Sequence, residues 1–194
     1  MDSLKNITKP SMMYPQKALD LLRQGEVIAA RTDTVYGLLA DATNDSAVRK
    51  VFELKQRPFS KALIVLVNSI DMAMEIAEFS KNDEEFAREI WLDKKAPVTL
   101  VLKAKNVSKF VTGGGNTVAL RLPNNEFCLN LIKNLGNPIV APSANLSDHP
   151  TAISAEMVKK DFGDKIPLII DEGICKSKPS TIIDFTNEEK EVLR

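Results

Sequence analysis

Apolar positions recur along this chain with two periods, and each period predicts an element. Leu19 and Leu22 fall on one face of an expected helix over residues 15–24, opened by Pro15 and closed by Gly25. A short apolar run at 27–31 predicts a strand, and residues 45–55 predict a helix burying Val48, Val51, Phe52 and Leu54. The polar stretch 32–37 between them reads as a connecting loop. A continuous apolar run at 62–67 predicts a strand; Ser69 offers an N-cap for a helix over 71–77, and a second helix is expected from 83 to about 91. Strands follow at 98–103 and 118–122, then a helix over 126–135 ending at Gly136 and a strand at 138–141. A helix capped by Ser154 over 155–162 and strands at 168–171 and 181–185 complete the pattern.

Interleaved strands and helices predict an α/β fold, a twisted mixed β-sheet flanked by helices, with 98–103 and 118–122 as candidates for an antiparallel pair. With 194 residues, the chain can bury roughly 70% of the surface its unfolded form exposes, enough for one domain. The expected organisation is an N-terminal arm at 1–14, where periodicity is weak, and a single domain over 15–194. No repeat, low-complexity tract or linker divides it.

Composition narrows the chemistry by exclusion. Twenty-six basic and 26 acidic side chains give a formal net charge of zero, so no whole-molecule field draws the chain to nucleic acid or anionic membrane. Any anion site has to be local. The 2 cysteines, Cys128 and Cys175, form no CxxC pair, and no apolar run is long enough for a membrane span or signal peptide, which suits a reducing cytoplasm. With the single histidine, His149, they cannot furnish a usual structural zinc set. GxxxxGK[ST], GxGxxG, GxSxG and HExxH patterns are all absent.

What remains is a set of short polar clusters at the ends of expected elements. Lys55, Arg57 and Lys61 crowd around Pro58 where a helix stops; a planar fork and two point charges suit phosphate oxygens, and they equally suit the negative end of that helix. Ser143 and Asn145 follow an expected strand, where short polar groups can meet a phosphate or ribose, or shape a turn. Arg121 can fork a carboxylate, and Ser180 opens the last strand. The 32–37 loop can hold a small polar ligand, with Tyr36 either beside it or packed in the core. Three glycines, Gly113 to Gly115, form either an anion nest or a turn.

Six segments taken in order resemble the YrdC-like threonylcarbamoyl-AMP synthase family: Thr32-Asp33-Thr34-Val35-Tyr36-Gly37-Leu38, Lys55-Gln56-Arg57-Pro58, Ala96-Pro97-Val98-Thr99, Val118 to Pro123, Ser143-Ala144-Asn145-Leu146-Ser147 and Pro179 to Asp184. The resemblance implies a concave, basic cavity on a YrdC-like sheet in a short, single-domain form. It implies an enzyme that makes threonylcarbamoyl-adenylate from L-threonine, bicarbonate (or CO2) and ATP, for threonylcarbamoyl modification of tRNA. Lys55 and Arg57 would be catalytic; with Lys61, Thr117, Ser143, Asn145 and Arg194 they would bind ATP. Thr32, Thr34, Tyr36, Arg121 and Ser180 would position threonine. Magnesium would ride on ATP, with no protein ligand set for a metal. Expected partners are downstream tRNA threonylcarbamoyl-transfer proteins, with weak RNA contact and no membrane. A non-catalytic RNA-binding module and an adenylating enzyme for another small acid are the competing readings. The chain departs from the family pattern at Arg31, at Lys95-Ala96 and at Asp148, where the family commonly carries glycine.

Overall fold

The helix that delivers the basic cluster is specified locally. Asn44 caps it by accepting from the amides of Ser46 (3.0 Å) and Ala47 (3.2 Å), and Gln56 ends it in the left-handed conformation at φ 50°. The computed structural model describes residues 7–8, 14–93, 96–175, 177–187 and 189–194. Most of the expected arm at 1–14, and Lys95, lie outside the described residues.

The elements in chain order are β1 (Ile7–Thr8), α1 (Tyr14–Arg23), β2 (Ile28–Arg31), β3 (Tyr36–Asp41), α2 (Asp45–Lys55), β4 (Ile64–Leu66), α3 (Ile70–Ile76), α4 (Lys81–Asp93), β5 (Val98–Lys103), β6 (Thr117–Arg121), α5 (Glu126–Leu135), β7 (Ile139–Val140), α6 (Ala155–Phe162), β8 (Ile169–Ile170), β9 (Thr181–Asp184) and β10 (Glu191–Val192). Ser69, Ser154 and Gly136 take the capping positions expected of them. The strands form one mixed sheet in the order β1-β8-β2-β3-β7-β4-β6-β5-β9-β10. β5 and β6 pair antiparallel, Leu100 opposite Leu120, while β4 runs parallel to β6 and β9 parallel to β5.

One expectation is corrected. Segment 32–37 is not a loop leading into a helix: Tyr36 and Gly37 open β3, which forms a hairpin with β2, Ala30 opposite Gly37. All six residues of β3 are buried, so its sequence carries no alternation to announce a strand. Within the expected arm, Ile7–Thr8 pairs with β8 and Tyr14 already belongs to α1.

Helices cover the two faces unequally. α2, α3, α4 and α6 bury Val51, Phe52, Ala73, Trp91, Val158 and Phe162 against Val65, Leu100, Leu102, Val118 and Leu120 on one face. On the other, α1 and α5 set Leu19, Leu22, Leu131 and Ile132 against Ile28, Leu39, Leu66 and Ile139. That second cover stops at β4. On the same face of β6, β5 and β9, Thr117, Ala119, Val101, Ile182 and Asp184 remain half-exposed, while Thr99 and Arg121 are buried. The site sits where the cover ends.

Candidate active site at the open sheet face

A cavity of about 100 Å³ is lined by Thr34, Val35, Ile64, Arg121, Ala141, Ser143, Thr151, Pro179, Ser180 and Arg194. Sheet pairing brings these distant segments together. Gly37 bridges Ser143, the Leu38 amide donates to Pro142 O (2.9 Å) and the Ala144 amide to Tyr36 O (2.7 Å), so the 142–145 turn is clamped on the start of β3. A Cβ on Gly37 would stand 3.4 Å from Pro142 O and 3.3 Å from Thr32 Cγ2, which is why glycine fits there. Ser180 shares a hydroxyl hydrogen bond with Thr99 (2.8 Å). β10 returns along β9 so that Arg194 donates from Nη2 to Ser180 O (3.1 Å).

Five of the expected ligand residues, Thr34, Ser143, Arg121, Ser180 and Arg194, thus share one cavity. Arg121 is only 3% exposed. Its Nη2 lies 3.1 Å from Asp33 Oδ1, its Nε has no hydrogen-bond partner among the described residues, and burial pushes its pKa down against the pull of Asp33. No acidic side chain is among the lining residues, whereas two arginines are. That arrangement accepts an anion of amino-acid size.

Lys55 stands just behind it. Its ammonium donates to Ser143 O (2.5 Å) and Asn145 O (2.7 Å), with Asn145 Oδ1 at 3.4 Å, tying the end of α2 to the 143–145 turn. Burial, with Arg57 acting the same way and Asp161 opposing, pushes its pKa down to about 8. Arg57 donates from Nε to Lys61 O (3.2 Å) and from Nη2 to Ala62 O (2.9 Å), so it staples the loop that carries Lys61. Burial lowers its pKa as well. Lys61 is exposed and Thr117 half-exposed at the start of β6. Four residue steps along β6 take the chain from Thr117 to Arg121, about 13 Å at a strand's rise.

Three expected contacts take other positions. Tyr36 was expected at threonine, yet it is fully buried and its hydroxyl is saturated, donating to Gly173 O (2.9 Å) and accepting from the Glu172 amide (3.1 Å). Burial pushes its pKa up to about 12, as befits a strut in the core. Thr32 Oγ1 donates to Val35 O (2.8 Å) and meets Thr34 Oγ1 at 3.0 Å, so it shapes the hairpin turn behind Thr34. Asn145 spends its amide on Leu146 O (3.0 Å) and His149 O (2.7 Å), holding the turn rather than lining the cavity. Asp148, at the family's glycine position, adopts φ 66°, the conformation that favours glycine.

Sequence reasoning passed over Thr151, Val35, Ile64, Ala141 and Pro179 in the lining. Most are apolar, and register alone puts them there. It left the glycine run open between nest and turn. The Gly114 and Gly115 amides donate to Lys109 O (2.8 Å) and Thr112 O (3.2 Å), so the run is a turn.

A family model described as "Telomere recombination", Sua5/YciO/YrdC, matches residues 20–194. A threonylcarbamoyl-AMP synthase of Pyrococcus abyssi (strain GE5 / Orsay) is 41% identical over 180 residues, covering 91% of this chain and 52% of the relative. The chain therefore spans about half the length of that relative. One from Pseudoalteromonas translucida (strain TAC 125) is 34% identical over 172 residues, 88% of this chain and 92% of the relative. The crystal structure of P. abyssi Sua5 complexed with L-threonine superposes with a TM-score of 0.89 at 36% identity, over 97% of this chain and 56% of that one. The chain belongs to the Sua5/YciO/YrdC family.

Proposed function

We propose that the chain is an L-threonylcarbamoyladenylate synthase, joining L-threonine, bicarbonate (or CO2) and ATP with release of pyrophosphate, and that its product serves N6-threonylcarbamoyladenosine formation in tRNA. The observation that carries this reading is the gathering of Thr34, Arg121, Ser143, Ser180 and Arg194 around one small cationic cavity at the edge of an uncovered sheet face. Arg121 takes the threonine carboxylate through its guanidinium, and Thr34 and Ser180 hold the amino acid beside it. A cavity of about 100 Å³ has no room for ATP, so the nucleotide lies across the open face of β6, β5 and β9. There Arg57, Lys61 and Thr117 meet its phosphates at one end, and Ser143 and Arg194 approach it from the other.

The threonine amine captures bicarbonate with loss of water, or CO2 with loss of a proton, as an N-carboxylate; a carboxylate oxygen then attacks the α-phosphorus of ATP in line as the bond to the β-phosphate oxygen breaks and pyrophosphate leaves. Charge builds on phosphate oxygens, so the protein contributes position and cations rather than a covalent step. Lys55 and Arg57 turn from the carbonyls they now hold towards those oxygens. Magnesium would enter bound to ATP oxygens, its charge offsetting that of the phosphates. Downstream proteins that transfer threonylcarbamoyl to tRNA are the partners this product requires. Any RNA contact of the chain itself is weak and salt-sensitive, given a net charge of zero. Among the described residues, no helix is long and apolar enough to cross a membrane.

The test is pyrophosphate release from purified protein with ATP, bicarbonate and single amino acids. Release dependent on both L-threonine and bicarbonate supports the reading; release with neither, or with another acid only, defeats it. Lys55→Ala and Arg57→Ala should each slow release at least about tenfold, the equivalent of ~1.4 kcal/mol at the transition state.

A further inference from the structure

The cavity's cationic pair is balanced from behind by one carboxylate that no contact with substrate would explain. Asp33 sits in the β2–β3 turn with its side chain 7% exposed, against 4% for the Arg121 side chain. It is not among the residues lining the cavity. Its Oδ2 accepts from the Asn124 amide (3.3 Å), and its Oδ1 lies 3.1 Å from Arg121 Nη2 without an aligned hydrogen bond. Asp33 is therefore fixed at the β6 exit, and it holds the guanidinium by charge at Nη2.

Arg194 lies on the same cavity and repels Arg121. Of the two positive charges facing the cavity, Asp33 offsets one. One remains for an incoming carboxylate.

We propose that Asp33 is a positioning residue for substrate selection: it holds the Arg121 guanidinium in place at the cavity wall and sets its charge so that one carboxylate, and not a neutral analogue, is accepted. The proposal rests on the reading of Arg121 as the threonine carboxylate ligand. Without Asp33, Arg121 would be a buried cation facing a second one, and it would turn away towards solvent.

The experiment compares Asp33→Asn and Asp33→Glu with wild type in the pyrophosphate assay, using L-threonine and L-threonine amide, which lacks the carboxylate. The expected result is a threonine KM raised at least about tenfold, an ATP KM unchanged, kcat at saturating threonine within about threefold, and a reduced preference for threonine over its amide. A general loss of structure would move both KM values and leave that preference alone. Where Asp33→Asn is too unstable to assay, thermal melting of Asp33→Asn/Arg121→Gln is compared with Asp33→Asn alone; the double variant should melt higher, because the buried cation without a partner is gone. A threonine KM and an amide preference like wild type in the Asp33 variants, or a double variant that melts no higher than Asp33→Asn, overturns the proposal. Wild type without threonine-dependent release defeats the synthase reading and this one together; threonine-dependent wild type with indifferent Asp33 variants defeats this one only.

Discussion

At the residue scale, two buried titratable side chains pull stability in opposite directions as pH rises. Lys55 is 2% exposed, and its pKa falls from 10.5 to about 8. Below about pH 8 both folded and unfolded chains hold the proton, and the fold bears the cost of a desolvated ammonium. Between about 8 and 10.5 the unfolded chain binds more protons at this residue, so its contribution to stability rises with pH. Tyr36 rises from 10.0 to about 12, so across that interval the unfolded chain ionises first and the Tyr36 contribution is lost. Urea unfolding at pH 7.5 and 9.5 checks the first statement: Lys55→Met should remove the upward slope that wild type shows between them. Tyr36→Phe leaves the Glu172 amide and Gly173 carbonyl without their hydroxyl partner and should cost about 1–3 kcal/mol of stability. The same variant should keep its threonine KM, which separates a strut from a ligand.

At the scale of elements, the loop after α2 is shaped by contact with a distant turn. A Cβ on Gly113 would meet Ser60 O at 2.7 Å and the Ala62 amide nitrogen at 2.9 Å, and its φ of +66° disfavours any side chain. Gly113→Ala should destabilise the chain by more than ~1 kcal/mol, since backbone on both sides has to move, and raise the ATP KM by displacing Lys61. Urea midpoints and steady-state kinetics with ATP varied read both effects. This contact also shows where legibility in the sequence ends. Caps at Ser69, Ser154 and Gly136 and the bounds of α2 are local, so they could be read directly. β3 could not, because a strand buried on both faces lacks alternation, and β1 and β10 are two residues each, too short for any period. In the site, Thr34, Ser143, Arg121 and Ser180 stood out through the family resemblance of the segments that carry them, since a polar residue at an element end equally suits a turn or a cap, and the fold brings the four to one cavity. Val35, Ile64 and Thr151 were not, since only register and packing bring them to the cavity.

For the whole molecule, the asymmetry of the sheet is the property on which the proposed nucleotide binding depends. Residues adjacent along or across β5 and β6 belong to different environments: Leu120 is fully buried under α2 and its neighbours, whereas Val101 is half-exposed on the uncovered face opposite Ala119. A closed α/β fold would bury both, and a substitution at either would then act on stability alone. Here Leu120→Ala should cost about 2–5 kcal/mol, the range for an aliphatic core side chain, with little change in the ATP KM of the molecules that remain folded. Val101→Asp should behave in the reverse way. It adds a charge where water already reaches, so its stability cost should stay below about 1 kcal/mol. It also places a carboxylate beneath the proposed triphosphate, so its ATP affinity should fall at least tenfold, on the order of 1.4 kcal/mol. Denaturant midpoints with and without ATP measure the two quantities in one experiment, because a ligand that binds only the folded state raises the midpoint by an amount that grows with the logarithm of its affinity. The shift on adding ATP should survive in Leu120→Ala and, at saturating ATP, shrink by about 1.4 kcal/mol in Val101→Asp; an ATP shift of wild-type size in Val101→Asp would mean that the nucleotide does not lie across this face.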